Sequence, residues 1–516
     1  MPLLTKPESC RGCPLAGDMK GFVPDTVVEG AALTIVAQNP GSDEEQGRKL
    51  TGYRGKEKVY EPHPQGPLLG VTGYDMDHRY LPLTGLEHSQ VTLRNAIRCR
   101  VKGSNELKLP SKSAIIRQAI HHCQQVHFKP QASTQLYVAM GEHALYALTG
   151  EIGISEWRGW LLPERIGLGR AAYPFNDLYA PPGYGAKGVL ATYHLAYLSR
   201  APWDLPVAQR DWLKIRQVLD GVWPRPLPPI HPAPPSIWPN VSAFDTEFVP
   251  ETGKLVRYSL AYRDSNGTPR LHVVECEHGR PIQCLVPKTA QDPAMLNLWR
   301  TKNAQCAPSG PGSLPQDRDI SGLLMLIVQR GHWVNARQYR LAPSGDCIPL
   351  KVSLHWALAD LDYLAKILPV GTVVSIEDTC LKHSVTAPDL DHDLGFIGSL
   401  YASINRWKHL SHANPRVYSG GDAYATLEIN EALDKELERD PKIKHVYYSY
   451  RLPLVPIIMK ARSRGILVNQ ENVEAGLQDL AAQRTDAQAL AQAACGWPIN
   501  VGSPAQVKYA LMEVIT

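Results

Sequence analysis

Asp245 and Glu247 close the apolar run Ser242-Ala-Phe244. On a strand, side chains i and i+2 share a face, so both carboxylates can address one pair of divalent metals. A third acid, Asp360, falls in His355-Trp-Ala-Leu-Ala-Asp-Leu-Asp-Tyr-Leu364, which reads as a helix with Leu361 and Leu364 toward the core. A fourth, Asp422, follows Tyr418 by four residues, one helical turn, in Val417-Tyr-Ser-Gly-Gly-Asp-Ala-Tyr-Ala-Thr-Leu427. Near the start of the chain, the pair Cys10-Arg-Gly-Cys13 is joined by Cys99 and Cys123. Four thiolates can close a tetrahedral zinc site or hold an iron–sulfur cluster.

These residues need elements to carry them. Leu33–Ala37, Gln135–Ala139 and Gly188–Tyr193 are short β-rich runs alternating with helical patterns, which predicts an α/β sheet with functional loops at its strand ends. Eight of the seventeen residues Trp223–Pro239 are proline, which predicts a stiff polyproline II spacer between two folded parts. Beyond it, Ala243–Phe248 and Leu255–Ala261 are expected as neighbouring strands. Ser353–Ile367, Asp422–Leu437, Pro453–Arg464 and Val473–Ala494 are expected as helices. The Pro/Gly/Ser-bearing stretch 279–351 reads as an insertion.

In the N-terminal part, Ile35-Val-Ala-Gln-Asn-Pro-Gly-Ser-Asp-Glu-Glu45, Arg94-Asn-Ala-Ile-Arg-Cys-Arg100 and Thr192-Tyr-His-Leu-Ala-Tyr-Leu-Ser-Arg200 occur in that order. Over about residues 8–205 this resembles the uracil-DNA glycosylase superfamily, in particular its family 4 branch. The resemblance implies a 4Fe-4S cluster on Cys10, Cys13, Cys99 and Cys123. It implies base recognition by Asn95, water placement by Gln38 and Asn39, and stabilisation of the departing base by His194. The chain departs from that pattern in three places. Gln38 stands where Glu is usual, Leu50 where an aromatic stacks on the base, and His194-Leu195 where His-Pro is usual. Arg98, Arg100, Lys102 and Arg200 are candidate contacts to DNA phosphates.

The acids after the spacer resemble the Exo I, II and III motifs of the DEDDy 3′–5′ exonucleases, in the form carried by family A DNA polymerases. That resemblance implies that Asp245, Glu247, Asp360 and Asp422 hold two Mg or Mn ions and that Tyr418 orients the attacking water. Trp356 departs from the pattern, which has Asn there. Leu454–Val468 and Ile499-Asn-Val-Gly-Ser-Pro-Ala-Gln506 resemble the opening of the polymerase region, without palm or fingers motifs. The expected architecture is therefore a glycosylase-like α/β/α sandwich (1–220), a linker (221–239), a ribonuclease H-like exonuclease domain (240–445) and a short all-helical segment (446–516). The alternative is an accessory subunit whose folds only bind DNA.

Composition agrees with a folded chain. Hydrophobic residues make up 44% and charged residues 20% of 516, which excludes wholesale disorder. The net charge of +4 is too mild to prove an acidic partner. No signal peptide or membrane-length apolar run is present, so a cytoplasmic protein is expected, and the polymerase resemblance implies a bacterium or phage-infected cell. The expected partners are a single-stranded or frayed 3′ DNA end and a separate polymerase chain.

Overall fold

The computed structural model describes residues 4–102, 107–165, 187–276, 325–328, 332–334, 350–368 and 373–515. They fall into two compact units, Met1–Ile457 and Ile458–Thr516. Most of the stretch expected as an insertion lies outside the described residues.

The N-terminal strands are β1 (Met19–Phe22), β2 (Leu33–Ala37), β3 (Arg48–Arg54), β4 (Glu57–Pro62), β5 (Val91–Asn95), β6 (Cys99–Val101), β7 (Leu136–Met140), β8 (Leu161–Pro163) and β9 (Gly188–Thr192). Five of them form one sheet in the order β5-β2-β7-β9-β8, parallel except for β8. β2, β5, β7 and β9 are buried at every position, as parallel strands covered on both faces must be. Alternation then sorts their side chains. Leu33, Ile35, Val138 and Leu190 share a core with Trp212 and Ile215 of helix Leu205–Leu219. Val36, Tyr137 and Val189 pack instead with Ile116, Ile120 and Leu145 of helices Ala114–His127 and Glu142–Thr149. The result is a helix/sheet/helix sandwich, with antiparallel ribbons β1–β6 and β3–β4 beside it.

The second sheet uses β10 (Ile230–His231), β11 (Val241–Val249), β12 (Lys254–Arg263), β13 (Pro269–Glu275), β14 (Met325–Val328), β15 (His332–Val334), β16 (Leu350–Leu354) and β17 (Val373–Asp378). Their order is β10-β13-β12-β11-β16-β17-β15-β14. β11, β12 and β13 form an antiparallel meander, while β11, β16 and β17 run parallel. The 25-residue helix Pro415–Arg439 packs across β11, β12 and β13.

Three expectations change. The helix read from Ser353 begins at Ala357, because Ser353 and Leu354 complete β16 between two parallel neighbours. The helix read from Asp422 starts at Pro415, where proline suits the first turn and Asn414 Oδ1 accepts the Val417 N–H at 3.2 Å. The proline-rich stretch is not a free spacer. Trp223 and Trp238 are buried, Arg225 N donates to Ser403 O at 2.7 Å, and Ile230–His231 pair with the outer edge of β13. Between the prolines, these residues still have N–H groups to give, and an edge position tolerates the rest. Both sheets consequently share one hydrophobic core, in which Trp160 meets Trp407.

In the second unit, helix Gln470–Cys495 is capped by Asn469 and ended by Gly496 at φ 76°, and helix Pro504–Ile515 follows. The turn between them is tied by Asn500 N to Gln506 Oε1 at 2.8 Å. Among the described residues no helix is long and apolar enough to cross a membrane.

Candidate functional site

β11 lies inside the second sheet, and its alternation sends Phe244 into the core while Asp245 and Glu247 occupy partly open positions. Ser259 of β12 donates its hydroxyl to Ser419 O at 2.8 Å, pinning the long helix so that Asp422 meets the strand. One ligand atom from each of Asp245, Glu247 and Asp422 lies within 4.8 Å of the others. Asp245 Oδ2 is buried without a hydrogen-bond partner. Burial, then the charges of Asp422, Asp360 and Glu247, push the Asp245 carboxyl well up. Burial and Asp422 raise Glu247. Clustered like charges around an orphaned oxygen, only partly offset by Lys408, are the chemistry of a cation site, since a divalent ion would reverse the penalty. The donor set of carboxylate oxygens fits Mg or Mn.

Asp360 is adjacent but outside that triad. It is buried, raised to about 8 by burial, and held at Oδ1 by the Thr246 amide at 3.1 Å and the Thr246 hydroxyl at 2.5 Å. Tyr418 sits one turn before Asp422, its hydroxyl accepting from Lys408 Nζ at 3.3 Å; burial pushes the phenol up to about 12. Trp356, half exposed, adopts φ 64°, a conformation rare for a bulky residue. Asp378 caps helix Thr379–Thr386.

Two groups at this centre carry no sequence signal. Trp407 Nε1 donates to Asp422 Oδ1 at 2.6 Å, and Lys408 Nζ pairs with the same oxygen at 2.7 Å. They sit at the start of the 3-10 turn Lys408–Leu410, and only the tertiary fold brings them to the acid.

In the first sheet, Asn95, Gln38 and Asn39, and His194 all stand at or just beyond the carboxyl ends of β5, β2 and β9. This is the usual place for a ligand crevice in a parallel sheet. Asn95 is 3% exposed and its Nδ2 has no partner. His194 Nδ1 accepts the Ala196 N–H at 3.2 Å, which puts the ring proton on Nε2; burial pushes the imidazole down to about 4, so it is neutral. Gly141, at φ 86°, leaves it room: a Cβ there would lie 3.0 Å from His194 Cβ. Asn39 Nδ2 donates to Pro40 O at 3.1 Å. Leu50 is buried in β3, its amide bonded to Leu69 O at 2.8 Å.

Cys10, Cys13, Cys99 and Cys123 line one pocket with Leu15, Phe22 and Ile97. The turn Glu8–Gly12, β6 and helix Ala114–His127 bring them there. No three of their sulfurs lie within 4.8 Å of one another. Cys10 Sγ is 3.1 Å from His127 Nε2. Burial raises Cys99 to about 12 and Cys123 to about 11.

The basic patch is smaller than its sequence. Arg98 is buried, bonded to Asp25 Oδ2 at 2.5 Å and to His127 O at 2.7 Å, so it does not face solvent as a phosphate contact would. Arg94 is buried too. Arg100 pairs with Glu45 at 2.7 Å, and Lys102 Nζ donates to Gly17 O at 2.6 Å; Lys102 and Arg200 are exposed.

No family model matches the chain. It is distantly similar to DNA polymerase I. It is 27% identical to that of Synechocystis sp. over 150 residues, 26% of this chain and 15% of the relative. It is 29% identical to that of Chloroflexus aurantiacus over 94 residues, 18% of this chain and 10% of the relative. The chain thus spans a small part of the length of these relatives. Among solved structures, it is similar to the polymerase domain of Pol1 from M. smegmatis in complex with DNA primer-template and dNTP (TM-score 0.29, 19% identity, 53% of this chain, 37% of that one). It is also similar to Brucella melitensis NrnC with bound Mg2+ (TM-score 0.24, 15% identity, 45% and 90%).

Proposed function

We propose that residues 240–445 form a two-metal 3′–5′ exonuclease that shortens single-stranded or frayed DNA ends, of the type carried by family A DNA polymerases. The observation that carries this reading is the convergence of Asp245, Glu247 and Asp422 around an unpartnered carboxylate oxygen, with Tyr418 one turn away. Asp245, Glu247, Asp360 and Asp422 would hold the ions, which supply an activated water and a charge sink for the leaving 3′ oxygen. Tyr418 places a hydroxyl beside Asp422, where it can orient that water. With Mg or Mn, the chain should release nucleoside monophosphates from a 3′ end, and Asp245→Ala with Glu247→Ala should abolish cleavage. Cleavage at the wild-type rate by that double variant would refute the reading.

A second activity is favoured by the buried Asn95 amide, whose Nδ2 has no partner, and the neutral His194, which stand at the carboxyl ends of β5 and β9. We propose that residues 1–220 form a glycosylase-like domain that reads a flipped uracil through Asn95 and donates from His194 Nε2 to the departing base. Uracil in single-stranded DNA should yield abasic sites, and His194→Ala should slow this by about 10²-fold. Cys10, Cys13, Cys99 and Cys123 would hold a 4Fe-4S cluster there. What supports this is that all four line one pocket, reached from three separate elements.

A further inference from the structure

We propose that Trp407 is a positioning residue for the metal ligand Asp422, and that the segment Asn405–Lys408 ties this position to the N-terminal sheet. The proposal rests on the exonuclease reading above. Four consecutive side chains carry it. Asn405 reads both backbone groups of Leu161 on the open edge of β8: the Leu161 N–H reaches Oδ1 at 3.2 Å, and Nδ2 donates to Leu161 O at 2.8 Å. Arg406 places its guanidinium 4.0 Å from the centre of the Trp157 ring. Trp407, 1% exposed, meets Trp160 edge-on with ring centres 5.9 Å apart. Lys408 joins Asp422 and Tyr418.

The Trp407 ring has no slack. A Cβ at Gly398 would lie 2.6 Å from it, and one at Gly421, the residue before Asp422, 2.5 Å from it. A ring wedged in this way holds its N–H on Asp422 Oδ1 at 2.6 Å. With the Lys408 ammonium on the same oxygen, the carboxylate cannot rotate freely, and its second oxygen is left for a cation. Hydrogen bonds behind a metal ligand fix its orientation, and losing one typically costs about 10–100-fold in metal affinity. Because the far end of the segment is bonded to β8, the N-terminal sheet contributes to this alignment.

The test is manganese binding by the full chain, followed by paramagnetic resonance without DNA, beside the manganese dependence of cleavage. Trp407→Phe keeps an aromatic ring and removes the donor. A benzothienylalanine at position 407, which replaces N–H by sulfur at nearly constant shape, guards against a packing defect. Both should raise the manganese concentration for half-saturation by about 10-fold, with KM for DNA unchanged. Asn405→Leu should move it the same way by less. A wild-type midpoint for the benzothienyl chain overturns the role of Trp407. A wild-type midpoint for Asn405→Leu overturns the tie to β8. Failure of the exonuclease reading would look different: the Asp245→Ala, Glu247→Ala chain would still cleave.

Discussion

Thr246, the residue between Asp245 and Glu247, gives both its amide and its hydroxyl to Asp360 Oδ1. One residue thus joins the strand that carries two acids to the helix that carries a third. The third acid is satisfied on one oxygen before any metal arrives, which lets a buried carboxylate approach two others.

Thr246→Val keeps size and branching but removes the hydroxyl. The amide bond remains, so Asp360 should stay near its place with less restraint. A hydrogen bond to a charged group is worth about 1.5–3 kcal/mol, so cleavage should fall by about 10-fold or more, and Thr246→Ser should restore most of it. Single-turnover rates at saturating Mg decide the matter; equal rates for Val and Thr would show that the hydroxyl is idle.

Tyr418→Phe removes only the hydroxyl that Lys408 touches. The catalytic rate should drop by about 10–100-fold while the metal midpoint stays within about twofold, because no metal ligand is lost. An equal shift of rate and metal midpoint would mean that Tyr418 acts on the ions rather than on water.

Much of this centre is legible in sequence because it is written in local periods. Asp245 and Glu247 share a face through the two-residue repeat of a strand, and Tyr418 and Asp422 through one helical turn. Trp407 and Lys408 are not, since their place depends on a contact between Asn405 and Leu161, 244 residues apart. Arg98 misleads for the same reason: its partner, Asp25, is 73 residues away, so a run of cations in sequence is partly a buried ion pair in space. Composition also misread the proline-rich stretch. It describes the prolines well but not the two tryptophans that anchor the chain between them.

His383 offers a pH-dependent test of the second sheet's surroundings. It is fully buried, its Nδ1 is 2.8 Å from His392 Nδ1, and its Nε2 has no partner. Burial first, then the charge of His392, pushes it down to about 4. An unfolded histidine takes its proton near pH 6.5. Between about pH 6.5 and 4, unfolding therefore binds a proton here, and stability falls as pH falls, by up to about 1.4 kcal/mol per pH unit. His383→Gln removes that proton, so its unfolding free energy should depend on pH less steeply across this window. Denaturant titrations of both chains at several pH values measure the difference, and parallel curves would refute it.

The cysteine pocket makes the last test. Cys10 lies in the turn Glu8–Gly12, Cys99 in β6 and Cys123 in helix Ala114–His127, so a centre bound there would join three separate elements. Without one, burial holds Cys99 at about 12 and Cys123 at about 11, so both are neutral thiols at pH 7. Binding must then expel protons, and acid should release the centre. Protein prepared without oxygen should be brown, absorb at about 400 nm and carry about four irons per chain. Cys99→Ser should lose the colour and lower the melting temperature of the N-terminal part, since metal binding and folding are coupled. A colourless chain with one zinc would overturn the cluster, and a colourless, metal-free chain whose Cys99→Ser variant melts at the same temperature would leave the four thiols as core residues only.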